Sequence, residues 1–182
     1  MSELGARAPF GYDARVTYRP SVIPNGGRAL DANELAALER DMEAIVLGSH
    51  LFKSLDLALR VNLIESAFVM TYDAGEMILR EGDPGDTMFL VMEGTVRIET
   101  SGMGANVHLA ELGRGACVGE VSVITGAPRT ATVTAITDVT VATFARHRVQ
   151  RVLDRAPKVR ALLEQLIEGR ANDAVAKIIG QG

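Results

Sequence analysis

Between residues 68 and 144 apolar side chains recur at every second position, and a turn signal interrupts them every 6 to 12 residues. The interruptions are Asp73-Ala74-Gly75, Asp83-Pro84-Gly85, Glu93-Gly94, Ser101-Gly102, Gly113-Arg114-Gly115, Gly126-Ala127-Pro128 and Thr137-Asp138. Within them Val96 and Ile98 alternate with Thr95, Arg97 and Glu99, while Ala131, Val133 and Ala135 alternate with three threonines. Successive side chains of a strand point to opposite faces, so this alternation describes half-buried strands. About seven or eight short strands with no crossover helix between them predict an antiparallel jelly-roll β-sandwich.

Helical periodicity brackets that region. Asp31-Ala32-Asn33-Glu34 has the pattern of a capping box, an acceptor followed three residues later by a carboxylate. Leu35, Leu38, Met42, Ile45 and Val46 then predict one helix to about Leu47, closed by Gly48. A second helix is expected from about Ser54, apolar on most sides through Leu57, Leu59, Val61, Leu63 and Ile64. Beyond the strands, residues 146–153 form a helix that Ala156-Pro157 breaks, and Val159, Leu162, Leu163, Leu166, Ile167, Val175, Ile178 and Ile179 mark another. The expected division is an extended arm over 1–30, N-terminal helices over 31–67, the β jelly roll over 68–145 and C-terminal helices over 146–182. Tyr12, Tyr18, Val22 and Ile23 are the arm's potential anchors.

Charge narrows the function. The net charge of −4 argues against general nucleic-acid binding, which wants a basic face. Residues 1–145 hold 11 basic and 19 acidic side chains, whereas residues 146–182 hold 8 and 4. One cysteine, Cys117, cannot close an internal disulfide, so a reducing cytoplasm is expected. No apolar stretch reaches the roughly 18 residues of a membrane helix.

The chemistry concentrates in Gly119-Glu120-Val121-Ser122-Val123-Ile124-Thr125-Gly126-Ala127-Pro128-Arg129-Thr130-Ala131-Thr132-Val133. An acid and a base stand nine positions apart across a short helical turn and a Gly/Pro bend. Arg129, at the start of an expected strand over 130–135, offers a fork of donors suited to phosphate. Glu120, in the first turn of a helix, can accept from sugar hydroxyls while the turn's free amides face an anion. Taken alone, the pair is as readily a structural ion pair.

This stretch resembles the phosphate-binding cassette of the cyclic nucleotide-binding domain, as found in protein kinase A regulatory subunits, cyclic-nucleotide-gated channels and the catabolite activator family. The Gly-Glu pair, the nine-residue step and the ending Pro-Arg-Thr-Ala-Thr-Val carry the likeness. So does the upstream run Gly75-Glu76, Glu81-Gly82-Asp83-Pro84-Gly85-Asp86 and Glu93-Gly94. It spans roughly residues 51 to 170. By resemblance, Arg129 contacts an exocyclic oxygen of a cyclic phosphate and Glu120 takes the ribose 2′-hydroxyl. The amides of Ser122 and Thr130 complete the cradle, and Gly119 permits close backbone approach. The Thr130 hydroxyl is weakly associated with accepting guanine. Arg170 in the final helix is a candidate lid over the purine by a cation–π contact, or a solvated side chain. An aromatic often precedes the Gly-Glu pair in the family, and here Val118 stands there.

The resemblance implies a non-catalytic sensor of cAMP or cGMP whose ligand reorders the last helix, with no further cofactor. The alternative is a ligand-free scaffold or interaction module on the same fold. A transcription factor of the activator type would need a helix-turn-helix, and none is seen after Pro157. An enzyme is not expected. His50, His108 and His147 are isolated, and no His-x-His or Cys-x-x-Cys spacing favours a metal. Cys117 reads as a buried, inert thiol. Gly102-Met103-Gly104 and Gly113-Arg114-Gly115 open no helix after a strand, so they are turns and not dinucleotide fingerprints. Arg146, Arg148, Arg151, Arg155, Lys158 and Arg160 form either a solvated face or a surface for an anionic partner. The apolar stripe of the final helix is a possible homodimer seam, and an effector protein remains a possible partner.

Overall fold

The computed structural model describes residues 27–102 and 105–179, with the side chains of residues 39, 42–44, 105 and 169–179 outside that description. Among these described residues, nine strands fall into two antiparallel sheets. One has the order β1 (Arg28–Ala29), β2 (Phe68–Tyr72), β9 (Val139–Ala145), β4 (Thr87–Glu93), β7 (Cys117–Val118). The other runs β3 (Met77–Leu79), β8 (Thr132–Ala135), β5 (Val96–Gly102), β6 (Ala105–Leu112). This is the expected β-sandwich with flanking helices. Arg28 and Ala29, at the end of the expected extended arm, pair with Val69 and Phe68 at the sheet's edge.

Each strand's alternation divides the core in two. Leu90, Ala142 and Phe144 face the helices, whereas Phe89, Val91, Val139 and Val141 meet Val96, Val133 and Ala135 of the other sheet. Burying a large aliphatic or aromatic side chain contributes about 1.5–3 kcal/mol, so these two layers dominate the stabilisation. Phe52 stacks edge-on to Phe144 at 5.8 Å and ties the helical layer to the sheet.

The N-terminal helices are more broken than the periodicity predicts. The capping box forms, with Glu34 N donating to Asp31 Oδ1 at 2.8 Å and Asp31 N to Glu34 Oε2 at 2.9 Å. The single expected helix, however, divides at Asp41 into α1 (Ala32–Arg40) and α2 (Met42–Gly48). Asp41 pairs there with Arg114 on the β6–β7 turn. The second expected helix forms as α4 (Leu57–Glu65), and a short helix the periodicity did not predict, α3 (His50–Ser54), precedes it. Their caps explain the division: Ser49 accepts from Phe52 N and Asp56 from Leu59 N, each starting a helix of its own.

Helix α5 (Glu120–Thr125) lies between β7 and β8. The C-terminal helices are α6 (Arg146–Asp154) and α7 (Pro157–Ile179), broken where Pro157 predicts. Arg170 belongs to α7, and its side chain lies outside the described residues.

Candidate functional site

Two left-handed glycines frame α5. Gly119 (φ +80°) turns β7 into its first residue, and Gly126 (φ +83°) ends it. Only glycine takes that conformation without strain, which makes the tight strand–helix–loop passage possible. The loop after Gly126 carries Arg129. The sequence places this arginine at the edge of a strand, but the strand begins only at Thr132. Arg129 is held in a loop because its own backbone is clamped by another loop. Arg129 N donates to Asp83 O at 2.8 Å, and Gly82 N donates to Arg129 O at 2.9 Å.

The guanidinium is fixed just as firmly. Nη1 donates to Gly119 O at 3.0 Å and Nη2 to Thr87 Oγ1 at 3.1 Å. Gly85 backs the group closely: a Cβ there would stand 2.7 Å from both Cζ and Nε. Arg129 is 5% exposed. Among the described residues no carboxylate comes within ion-pair distance of it. Burial lowers its pKa, while the fields of Asp86, Asp83 and Glu120 push the other way. The result is a buried cation bonded to two neutral acceptors, with donors to spare.

Beside it lies a cavity of about 160 Å³ lined by Gly119, Glu120, Ser122, Arg129 and Thr130, every described residue that the sequence nominates. Its apolar walls are Leu79, Ile98, Leu112, Val118, Val121 and Val133. Ser122 is 1% exposed, and its hydroxyl has no hydrogen-bond partner in the protein. A buried polar atom without a partner is rare, and one lining a cavity is open to a water or a ligand group; Thr143 Oγ1, away from this cavity, is buried in the same way.

Sequence reasoning missed Thr87 as the second anchor of Arg129 and saw Gly85 only as a turn residue. The signal was present in Gly82-Asp83-Pro84-Gly85-Asp86-Thr87, a turn of small residues entering a strand. Elsewhere the nominated groups do little. Burial pushes the Cys117 thiol up to about 12, leaving it protonated and poorly nucleophilic. Among the described residues no three metal-ligating side chains gather. His108 faces Glu111 at 3.9 Å. No helix among those residues is long and apolar enough to cross a membrane.

Comparison with known proteins agrees with this geometry. Residues 69–156 match the cyclic nucleotide-binding domain family. A cyclic nucleotide-gated potassium channel of Mesorhizobium japonicum is 34% identical over 121 residues, covering 66% of this chain and 32% of the channel. The cAMP-dependent protein kinase type II regulatory subunit of Drosophila melanogaster is 36% identical over 83 residues, covering 46% of this chain and 22% of that protein. The solved regulatory domain of Toxoplasma gondii protein kinase A with cAMP superposes with a TM-score of 0.63 at 27% identity, covering 70% of this chain and 47% of that one. The chain thus spans a third or less of the length of these two curated relatives. With the nominated residues gathered around one cavity and the match running from β2 to the end of α6, residues 69–156 form a domain of the cyclic nucleotide-binding family.

Proposed function

We propose that this domain is a non-catalytic sensor that binds cAMP or cGMP in the cavity beside α5. In this reading Arg129 takes an exocyclic phosphate oxygen and Glu120 the ribose 2′-hydroxyl. Ser122 and Thr130 supply backbone amides, and Gly119 leaves room for the phosphate. Arg170 closes over the base, and occupancy reorders α7. The division into arm, N-terminal helices, jelly roll and C-terminal helices serves that switch. A ligand shifts two helix positions only as far as it prefers one of them.

The observation that carries the reading is the buried guanidinium of Arg129, in contact with no carboxylate among the described residues and facing a cavity. Burial makes this charge costly, the nearby carboxylates offset that cost only from beyond contact distance, and an anion of matching geometry bonds the fork directly. The test is thermal unfolding with cAMP, cGMP and linear 5′-AMP. At a hundred times its dissociation constant the right ligand stabilises by about 2.7 kcal/mol. No shift with either cyclic nucleotide returns the chain to the scaffold reading. On α7, Leu162 and Leu166 are 46% and 37% exposed, which supports self-association through that helix. Sedimentation with and without nucleotide checks it.

A further inference from the structure

Helix α5 is short, and its carbonyl end is buried. It stops where Gly126 turns left-handed, so its last carbonyls find no partner further along the helix. Gly126 N returns to Ser122 O at 2.9 Å. Val123 and Ile124 are 0% and 3% exposed. Their carbonyls are met from another element. Gln150 Nε2, on α6, donates to Val123 O at 2.6 Å and to Ile124 O at 3.3 Å. Arg146, one turn earlier on α6, lies against Gly126, its Nη2 2.8 Å from where a Cβ would stand.

The same helix is tied in two further directions. Its first amide, Arg146 N, donates to Asp86 O at 2.6 Å, on the loop that carries Gly85 and Thr87. The carbonyl of Gln150 accepts from Arg160 of α7 at 3.4 Å, and Arg160 also bonds Asp154 at 2.7 Å. Gln150 therefore joins the phosphate-side helix to both C-terminal helices through one side chain and its own backbone.

We infer that Gln150 is a positioning residue for nucleotide binding. It holds the carbonyl end of α5 so that Glu120 and Ser122, at the other end, stay in register with Arg129. It also carries a displacement of α5 into α6 and α7. The inference rests on the reading of the α5 cavity as a cyclic nucleotide site. Gln150 does not line that cavity.

The test titrates cAMP calorimetrically into wild type, Gln150→Met and Gln150→Glu between pH 5 and 8. Hydrogen exchange over residues 157–168 is followed with and without cAMP. Methionine keeps the length and removes the donor. Its expected effect is about tenfold weaker binding and loss of the cAMP-dependent change in exchange on α7. Glutamate offers the same carbonyls an acceptor when ionised and an O–H donor when protonated. Its affinity is expected to be lowest at pH 8 and to recover toward wild type at pH 5, against a flat wild-type profile. A cap with no part in binding would not produce that recovery. If Gln150→Met fails to fold, the pH profile of Gln150→Glu decides. Wild-type binding with a wild-type response in Gln150→Met, or a Gln150→Glu profile parallel to wild type, overturns this inference alone. A wild-type chain that binds neither cAMP nor cGMP overturns the nucleotide reading and this inference with it.

Discussion

Two cavities of this domain hold arginines, and they differ in one respect that matters more than size. The cavity under α1 measures about 310 Å³, the one beside α5 about 160 Å³. In the larger, Arg28 bonds Glu34, with Nη1 to Oε2 at 2.6 Å, and Arg114 pairs with Asp41. In the smaller, Arg129 touches a carbonyl and a hydroxyl and no carboxylate. The larger cavity has met its own charges with its own residues. In the smaller, among the described residues, no carboxylate contacts the buried cation and no group bonds the buried Ser122 hydroxyl, and that is where an anion gains most. Volume alone would have chosen the other cavity.

The sharpest way to break this contrast is to remove one arginine from each cavity. Arg129→Ala deletes a charge-assisted contact of about 1.5–3 kcal/mol, so cAMP binding should weaken by roughly ten- to a hundredfold or more by calorimetry. Arg114→Ala should leave the affinity within about twofold, because its charge is spent on Asp41. Equal losses in the two variants would erase the distinction.

Gly85→Ala probes the same contrast without touching charge. The backbone at Gly85 takes no positive φ, so alanine fits the chain itself. Its Cβ does not fit the surroundings, at 2.5 Å from Ser122 Cβ and 2.7 Å from Arg129 Cζ. Ser122 is fixed by α5, so the guanidinium must yield. Overpacking of this kind costs about 1–3 kcal/mol, and affinity should fall by about tenfold along with the melting temperature. Thr87→Val is milder. It removes one neutral acceptor from Nη2, about 0.5–1.5 kcal/mol, for a two- to tenfold loss of affinity. Unchanged binding in Thr87→Val would mean that Gly119 O alone orients the fork.

What could be read from the chain follows the distance over which each feature is decided. The Asp31–Glu34 capping box closes over three residues and forms as its pattern predicts. The strands follow from alternation, because burial on one face is a local pattern. The five residues nominated between Gly119 and Thr130 line one cavity. The pairing of Asp41 with Arg114 joins residues 73 apart, and no local propensity contains it. Arg129 sits in a loop because Gly82 and Asp83 clamp its backbone from another turn. Thr87 and Gln150 escape for the same reason: an ordinary strand threonine and an ordinary helix glutamine become significant only when the fold sets them against α5 and its arginine.

The smallest effect lies in the larger cavity, and it has a sign that can be worked out. The hydrogen bond from Arg28 holds the Glu34 carboxyl below its ordinary value, against the opposing effect of burial. The folded chain therefore binds that proton less tightly than the unfolded chain. Stability from the pair is fully present above the ordinary carboxylate range and is lost as pH falls through the lowered value. Arg28 is 55% exposed, so screening keeps the contribution under about 1 kcal/mol. Urea unfolding should show Arg28→Ala slightly less stable than wild type at pH 7. That gap should close as pH falls below the usual carboxylate range, and shrink in high salt, while cAMP affinity stays unchanged throughout. A gap that ignores both pH and salt would mean that Arg28 and Glu34 do not neutralise each other. The α1 cavity would then hold an open cation of its own, and an arginine not neutralised by a contacting carboxylate would no longer single out the cavity beside α5.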